Sequence, residues 1–275
     1  MKKTLMVMSA LAMLVLLTAC GRGEGGAAGF GAGGGQSLRE GSTAPLHSPI
    51  AQDPTYQKLL GLNILLYPPP VDDPKFEPFG TAHWDLDASA FVQAMKGAFK
   101  GQMGATAVYE PQVDSLKEDP LVAQIQEKIY NGQEVQVGWV YGKNSSLDYL
   151  EYNGKPVTLV TAEPVVIFLG DKAKLDTTTW KFDTSNALAF FIPANTVVTI
   201  NAEVLRSAPI RVAEGSGQLT AVILPQGVGL EPASPGSGMD QALVANDRWV
   251  FALPGVPGGY FEGLTGKNKT INKVD

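Results

Sequence analysis

The apolar positions of the chain follow two different periods, and the period changes near residue 134. Before that point, two stretches have apolar side chains four residues apart: Phe91, Met95 and Phe99, then Leu121, Ile125 and Ile129. This spacing predicts one helix over 85–100 and another that begins at Asp119-Pro120. Asp87 is suited to cap the first, and Pro120 fits the first turn of the second. A short helix is also predicted over 55–60.

Beyond residue 134, apolar and polar side chains alternate in short segments separated by turn residues. The predicted strands are 135–140, 147–152, 157–161, 165–169, 189–192, 197–201, 219–224 and 249–253. Many short strands without intervening helices are typical of a jelly roll or barrel. The chain is therefore predicted to be mainly β, with a jelly-roll β-barrel over 134–275. A smaller helical and irregular part, 53–133, is expected to pack on it.

The first residues have the pattern of a secretory signal peptide. Lys2 and Lys3 precede the uncharged, apolar run 4–19. That run is shorter than the ~20 residues that span a bilayer. The segment Leu17-Thr18-Ala19-Cys20-Gly21 resembles the lipobox of bacterial lipoproteins. The resemblance implies removal of residues 1–19 and a diacylglycerol on the Cys20 thiol, which gives stable anchoring.

Residues 20–52 are rich in glycine and are predicted to be a flexible tether behind the lipidated cysteine. The folded domain is therefore expected outside the cytoplasm, attached to a bacterial membrane through the lipid on Cys20. The net charge of −6 and the lack of a basic run argue against a nucleic-acid partner. A hydrophobic content of 44% excludes a wholly disordered chain. The single cysteine excludes an internal disulfide.

Eight segments, in their order along the chain, resemble an uncharacterised bacterial family of cupin-like proteins that is known only as a domain of unknown function. The segments are DPKFEPFG (73–80), QVGWVYG (136–142), LDYLEY (147–152), VVIFLG (165–170), AFFIP (189–193), VILPQG (222–227), NDRW (246–249) and GLTG (263–266). The resemblance implies a cupin-like barrel similar to that of ureidoglycolate lyase. Cupin barrels usually hold a divalent metal through two or three histidines and one carboxylate.

This chain departs from the pattern where the resemblance places the histidines. Lys143, Asn153 and Arg206 stand at those positions, whereas Glu151 is retained. No histidine lies between residues 84 and 275. Two cations repel a metal ion and suit a carboxylate or sugar acid. The expectation is a lost metal site, no cofactor, and a ligand site formed by Lys143, Glu151, Asn153 and Arg206.

Other residues have both a functional and a structural interpretation. His83 is either a general base or a packing residue. Asp148 and Glu151 suggest an acid–base pair, but opposite strand parity is expected to keep them apart. Glu203 and Glu214 are further candidate ligands for a hard cation. Six aromatic residues suit either a sugar-stacking surface or the core: Trp139, Tyr141, Tyr149, Trp180, Trp249 and Tyr260.

Three functions remain open at this point, and the chain is not assigned as an enzyme. The first is a surface-anchored module that binds a small polar or anionic molecule. The second is a metal-independent lyase or isomerase with Glu151 or Lys143 as the base. The third is an envelope interaction scaffold. A pocket lined by Lys143, Glu151 and Arg206 would favour the first two. A filled barrel with an exposed apolar patch would favour the third.

Overall fold

The computed structural model describes residues 50–275, which contain three α-helices: α1 (Pro54–Leu62), α2 (Ser89–Ala98) and α3 (Pro120–Lys128). Asp119 caps α3 as predicted, because its Oδ1 accepts a hydrogen bond from Leu121 N at 2.9 Å. The start of α2 is later than predicted. Asp87 lies before the helix, and its Oδ1 accepts from Ser89 N at 2.9 Å.

The predicted signal peptide (1–19), Cys20 and the tether up to residue 49 lie outside the described residues. Residues 50–52 were predicted to be the end of the tether. They form a 3-10 helix instead, and Ile50 and Ala51 are buried. The folded domain therefore includes residue 50. Within the described part of the chain, no helix is long and apolar enough to cross a membrane.

The same part of the chain contains fifteen strands. They are β1 (Gly80–Ala82), β2 (Val108–Glu110), β3 (Val135–Gly142), β4 (Tyr149–Tyr152), β5 (Val157–Thr161), β6 (Val165–Asp171), β7 (Phe182–Asp183), β8 (Leu188–Ile192), β9 (Thr196–Ile200), β10 (Val204–Arg206), β11 (Ile210–Arg211), β12 (Gln218–Pro225), β13 (Leu243–Ala245), β14 (Arg248–Ala252) and β15 (Leu264–Thr265).

Two antiparallel sheets contain most of these strands. The six-stranded sheet has the order β1-β9-β5-β12-β3-β2, and the seven-stranded sheet has the order β11-β6-β10-β4-β14-β13, with β8 also paired to β6. β7 and β15 form a short parallel pair. Many neighbouring strands are far apart in sequence, so the architecture depends on long-range pairing rather than on simple hairpins.

The main core lies between the two sheets. Val222 and Leu224 of β12 belong to one hydrophobic cluster with Leu150 and Phe251 of the seven-stranded sheet. On the other face of β12, the side chains are Leu219, Ala221 and Ile223. They belong to a second hydrophobic cluster, together with residues of α2 and α3. The six-stranded sheet is thus covered on both faces. Successive side chains along its strands therefore point to two different buried faces, whereas many antiparallel sheets have one buried face and one face in contact with solvent.

Residues 53–133, which were expected to pack on the barrel as part of one folded unit, contribute strands to it. β1 pairs with β9 and β2 pairs with β3, so the segment 53–133 supplies both edge strands of the six-stranded sheet. Each of these strands has three residues, which is too few to reveal a period of two in the sequence. Residues 50–275 belong to one compact unit.

Candidate functional site

Three neighbouring strands of the seven-stranded sheet bring charged side chains together. Glu151 on β4 lies opposite Arg206 on β10 and opposite Val250 on β14. Because alternate residues of a strand share a face, Arg248 lies on the same side as Val250 and Glu151. The register therefore places one carboxylate between two guanidinium groups.

Both oxygens of the Glu151 carboxylate accept hydrogen bonds from arginine. Arg206 Nη1 donates to Oε2 at 2.6 Å, and Arg248 Nη2 donates to Oε1 at 2.5 Å. Arg206 Nη2 also donates to Asn153 Oδ1 at 2.9 Å. We call Glu151, Arg206 and Arg248 the ionic cluster. One carboxylate and two guanidiniums leave it with a net charge of +1.

The electrostatics of the ionic cluster keep Glu151 and Arg248 charged. Burial raises the pKa of the Glu151 carboxyl, but the charges of Arg248 and Arg206 and their hydrogen bonds outweigh burial. The pKa of Glu151 consequently falls from 4.5 to about 2. Burial lowers the pKa of Arg248, and the charge of Glu151 overcomes this and raises it. Burial, then the Glu151 charge, raises the pKa of Tyr109 to about 12, so its phenol is neutral.

The residues at this place do not fit the divalent metal of a typical cupin. The positions where the resemblance expects imidazoles carry Lys143, Asn153 and Arg206. Both oxygens of the remaining carboxylate, Glu151, already accept from guanidinium groups. Within residues 50–275, no group of three or more His, Cys, Asp or Glu side chains is arranged to hold a metal ion.

A cleft of about 880 Å³ adjoins the ionic cluster. Arg248 lines this cleft, together with Tyr109 and Tyr149. Glu151 and Arg206 line a separate cavity of about 10 Å³, which Tyr109 and Tyr149 also border. The remaining lining of the cleft comes mainly from the segments 106–108, 144–148, 253–260 and 266–268. The space next to Glu151 and Arg206 is therefore small, and the larger accessible space lies on the Arg248 side of the ionic cluster.

Two buried polar atoms of cleft-lining residues have no hydrogen-bond partner within the described part of the chain: Arg248 Nε and Asn144 Oδ1. The amide nitrogen of Asn144 donates to Pro209 O at 2.9 Å, which orients the side chain. A buried polar atom left without a partner costs about 1–3 kcal/mol. Both atoms are buried beneath the wall of the cleft rather than exposed in it.

Lys143 lies apart from the residues with which it was predicted to form a site. Its side chain is exposed, and it lines neither of the two cavities. Lys143 follows the last residue of β3 in the six-stranded sheet, whereas Glu151, Asn153 and Arg206 belong to or adjoin the other sheet. The structure therefore groups three of the four predicted residues and leaves Lys143 outside.

The role predicted for Arg206 also changes. Its guanidinium is committed to Glu151 and Asn153, and its side chain is only 8% exposed. The cation that lines the cleft is Arg248, which sequence reasoning missed. Arg248 belongs to the NDRW segment (246–249), one of the eight that carry the family resemblance. That segment was the available signal, but nothing in it distinguishes a cleft-lining arginine from a surface one.

The acidic candidates do not form a second site. Asp148 Oδ1 accepts from Ser146 Oγ at 2.8 Å and from Asn268 Nδ2 at 3.1 Å, and it does not contact Glu151. Glu203 pairs with Lys172 at 2.9 Å on the surface. Glu214 pairs with Arg211 and Lys273.

His83 is half-buried, and its Nε2 lies 2.9 Å from Thr199 Oγ1. Burial lowers the pKa of His83. The side chain lines none of the cavities described above. This position fits a packing residue at the edge of the six-stranded sheet better than a general base.

The six aromatic candidates divide into cleft and core residues. Tyr149 and Tyr260 line the cleft, and their ring centroids are 6.1 Å apart. Trp139 and Tyr141 pack against Phe99 and donate to Glu110. Trp249 packs on Tyr152, and Trp180 packs against the main core. A stacking role for a sugar ring is therefore open to Tyr149 and Tyr260.

Two antiparallel sheets around a shared core, with a polar cleft beside the ionic cluster, define a cupin-like jelly-roll protein. The family model for "Domain of unknown function (DUF4867)" matches residues 69–269, and the chain belongs to this family. None of the curated proteins matches the chain in sequence.

Solved cupin structures overlap with parts of the chain. Bacillus subtilis oxalate decarboxylase has a TM-score of 0.29 and 5% identity, over 48% of this chain and 28% of its own. Vicilin from Solanum melongena has a TM-score of 0.30 and 9% identity, over 58% and 33%. Hydroxypropylphosphonic acid epoxidase from S. wedmorenis has a TM-score of 0.24 and 14% identity, over 33% and 43%. This chain thus spans less than half of each, and overlaps of this size establish neither an activity nor a ligand.

Proposed function

We propose that this protein is a membrane-anchored, extracytoplasmic lipoprotein whose cupin-like domain binds a small polar or anionic molecule, such as a sugar acid. The binding site is the cleft beside Arg248, and the usual cupin metal site has been lost. The observation that carries the proposal is the cleft of about 880 Å³ that Arg248 lines, beside its ion pair with Glu151.

The charge of the cleft supports an anionic ligand. The single carboxylate of Glu151 neutralises only one of the two guanidinium groups. Arg206 pairs with this carboxylate from the buried side. The net charge of +1 belongs to the ionic cluster, and Arg248 is its member on the side that the cleft reaches, where the carboxylate of Asp148 also lines the cleft. A guanidinium presents several donors in a plane and binds a carboxylate in two places.

The uncharged part of the lining supports a carbohydrate framework for that anion. The Tyr149 and Tyr260 rings offer flat apolar faces with polar tips. Asn144 and Asn268 line the cleft, and their amides suit ligand hydroxyl groups. Asp148 also lines the cleft, and its carboxylate accepts from Ser146 and Asn268. One cation, one carboxylate, amides and aromatic rings together suit a molecule with both a carboxylate and hydroxyl groups.

The proposed location rests on residues outside the described part of the chain. The basic start, the short apolar run and the lipobox-like segment that ends at Cys20 support export and lipidation. Two acyl chains would hold the domain at the membrane surface. Mass spectrometry of the N-terminal peptide tests this part, because a diacylglycerol on Cys20 adds a defined mass.

Calorimetric titration of the purified full chain with D-glucuronate and D-galacturonate tests the ligand site, with D-glucose as the uncharged comparison. We expect a uronate to bind and Arg248→Met to weaken it at least ~10-fold, which corresponds to about 1.4 kcal/mol. In Arg248→Met, Glu151 and Arg206 still form an ion pair with no net charge, so the fold should persist. Arg211→Met is the matched control, because Arg211 does not line the cleft. Unchanged affinity in Arg248→Met would show that the cleft is not the site.

Two further measurements separate the alternatives. Elemental analysis of protein purified without chelator tests the lost metal site, and a stoichiometric transition metal would overturn that part of the proposal. Proton NMR of a uronate that binds, followed over hours with the protein present, tests for a lyase or isomerase. New resonances that require Arg248 would identify an enzyme rather than a binding module.

A further inference from the structure

Large aliphatic side chains are exposed together directly after α1. Leu62, Ile64 and Leu65 are 47%, 74% and 100% exposed. We call these three residues the apolar patch. A contiguous group of exposed aliphatic side chains marks an interaction surface, whereas single ones are ordinary.

The fold holds the apolar patch in place. Asn63, within the same turn, is buried, and its Nδ2 donates to Leu59 O at 2.9 Å and to Asn272 O at 2.8 Å. Asn272 N donates back to Asn63 Oδ1 at 2.8 Å, and Asn272 Nδ2 donates to Leu62 O at 2.9 Å. Three of these hydrogen bonds tie the turn to Asn272, and the fourth ties it to α1. The exposure of Ile64 and Leu65 follows from an ordered turn.

The surroundings of the apolar patch are locally positive. The patch forms one wall of a groove of about 740 Å³, and segments 183–185 and 266–272 contribute the rest. Lys267 and Lys269 line this groove against a single carboxylate, Asp183. The groove thus carries a net charge of +1, whereas the whole chain carries −6. The Lys269 ammonium donates to Ala187 O at 2.6 Å, so Lys267 is the groove lysine that is placed to meet a lipid phosphate. The aliphatic side chains beside it suit the acyl chains of the same lipid surface.

The chain enters the domain close to this face. The described residues begin at Ile50, and α1 starts at Pro54 and ends in the apolar patch. The nine residues of α1 span about 14 Å. Cys20 precedes Ile50 by about 30 residues, and a glycine-rich tether of that length, if it is flexible as the sequence predicts, spans about 30 Å on average. A lipid on Cys20 would therefore keep the patch within reach of the bilayer.

We infer that the apolar patch inserts into the interface of an anionic bilayer, so that the domain docks on the membrane that holds its lipid anchor. This inference rests on the lipidation that is part of the proposed function. Ile64 and Leu65 enter the boundary between headgroups and acyl chains, and Lys267 faces the lipid phosphates. The ligand cleft beside Arg248 then has a defined orientation relative to the membrane.

A spin label at residue 65 tests the docking. The chain has a single cysteine, and lipidation of Cys20 blocks its thiol, so Leu65→Cys accepts one nitroxide label. The labelled, lipidated full chain is reconstituted into vesicles of phosphatidylglycerol and phosphatidylethanolamine. Power-saturation EPR then compares relaxation by oxygen, which partitions into lipid, with relaxation by a water-soluble nickel chelate. Glu118→Cys is the matched control, an exposed residue that lines no part of the groove.

Docking predicts a loss of nickel accessibility and a gain of oxygen accessibility at residue 65, with the opposite balance at residue 118. Ile64→Ser in the labelled protein should restore nickel accessibility. Equal nickel accessibility at the two labelled sites would overturn the inference. Protection from both relaxants, in detergent as well as in vesicles, would also overturn it, because protein rather than lipid would then cover the patch. Mass spectrometry of the Cys20 peptide separately reports whether the anchor itself exists.

Discussion

Arg206 faces Glu151 across the β10–β4 pair, with Nη1 2.6 Å from Oε2 in a nearly water-free part of the barrel. Arg248 contacts the other oxygen of the same carboxylate from the cleft side. Arg206 was predicted from the sequence to lie in the ligand site, whereas the structure assigns the ion pair and the cleft lining to two different arginines. Arg206 and Glu151 form an internal ion pair that holds the strands in register, and Arg248 is the cation that lines the cleft.

Removal of the shared carboxylate should destabilise the fold strongly. In Glu151→Gln, two buried guanidiniums lose their counter-charge, and breaking a buried pair in this way costs about 3–5 kcal/mol. Urea unfolding of the full chain measures the change. Glu203→Gln is the matched control, because its pair with Lys172 is on the surface and should contribute under about 1 kcal/mol. Equal stabilities of the two variants would contradict the structural role of Glu151.

The free energy of unfolding should fall when the pH is lowered below the ordinary pKa of a glutamate. The pKa of Glu151 in the folded protein is lowered to about 2, against 4.5 for an ordinary glutamate. The ionised form therefore stabilises the fold above pH ~4.5, and this contribution is lost as the pH falls towards about 2. The loss should be on the order of 3 kcal/mol. Unfolding free energies measured from pH 6 to pH 2 test this, and Glu151→Gln should show a flatter profile over that range.

Replacement of Lys143 should leave ligand affinity unchanged. Lys143 is exposed and lines neither the cleft nor the small cavity, so Lys143→Met removes no group that the ligand reaches. The same titration with uronates that tests Arg248→Met provides the measurement. If Lys143→Met weakens binding as much as Arg248→Met does, the site extends beyond the cleft to the end of β3.

A methyl group at Gly80 should disrupt the edge of the six-stranded sheet. A Cβ there would collide with the Thr199 carbonyl oxygen and approach the Phe76 ring. Gly80→Ala should therefore destabilise the domain by about 1–3 kcal/mol, as overpacking does. Gly61→Ala is the control, because nothing lies within 4 Å of its added Cβ, and it should stabilise α1 by up to about 1 kcal/mol. Thermal unfolding of both variants checks whether residues before 134 are integral to the sheet.

The local elements were largely readable from the sequence, because each depends on side chains that are near one another in the chain. The four-residue spacing and the Asp119-Pro120 pair identify α3. The alternating segments identify β5 and β12 with nearly correct bounds. The strands that were missed, such as β2 and β10, contain three residues each and carry no measurable period.

The sequence by itself determined the mainly β class, the family resemblance, the residue types at the candidate site and the lack of any histidine after residue 83. Only the tertiary structure decided which cations meet the carboxylate. Glu151 is 55 residues from Arg206 and 97 residues from Arg248, so their contacts depend on strand register and sheet order. Lys143 is much closer to Glu151 in sequence, yet β3 carries it into the other sheet. Neighbours in a β-sheet are set by pairing across the fold, which local patterns do not encode.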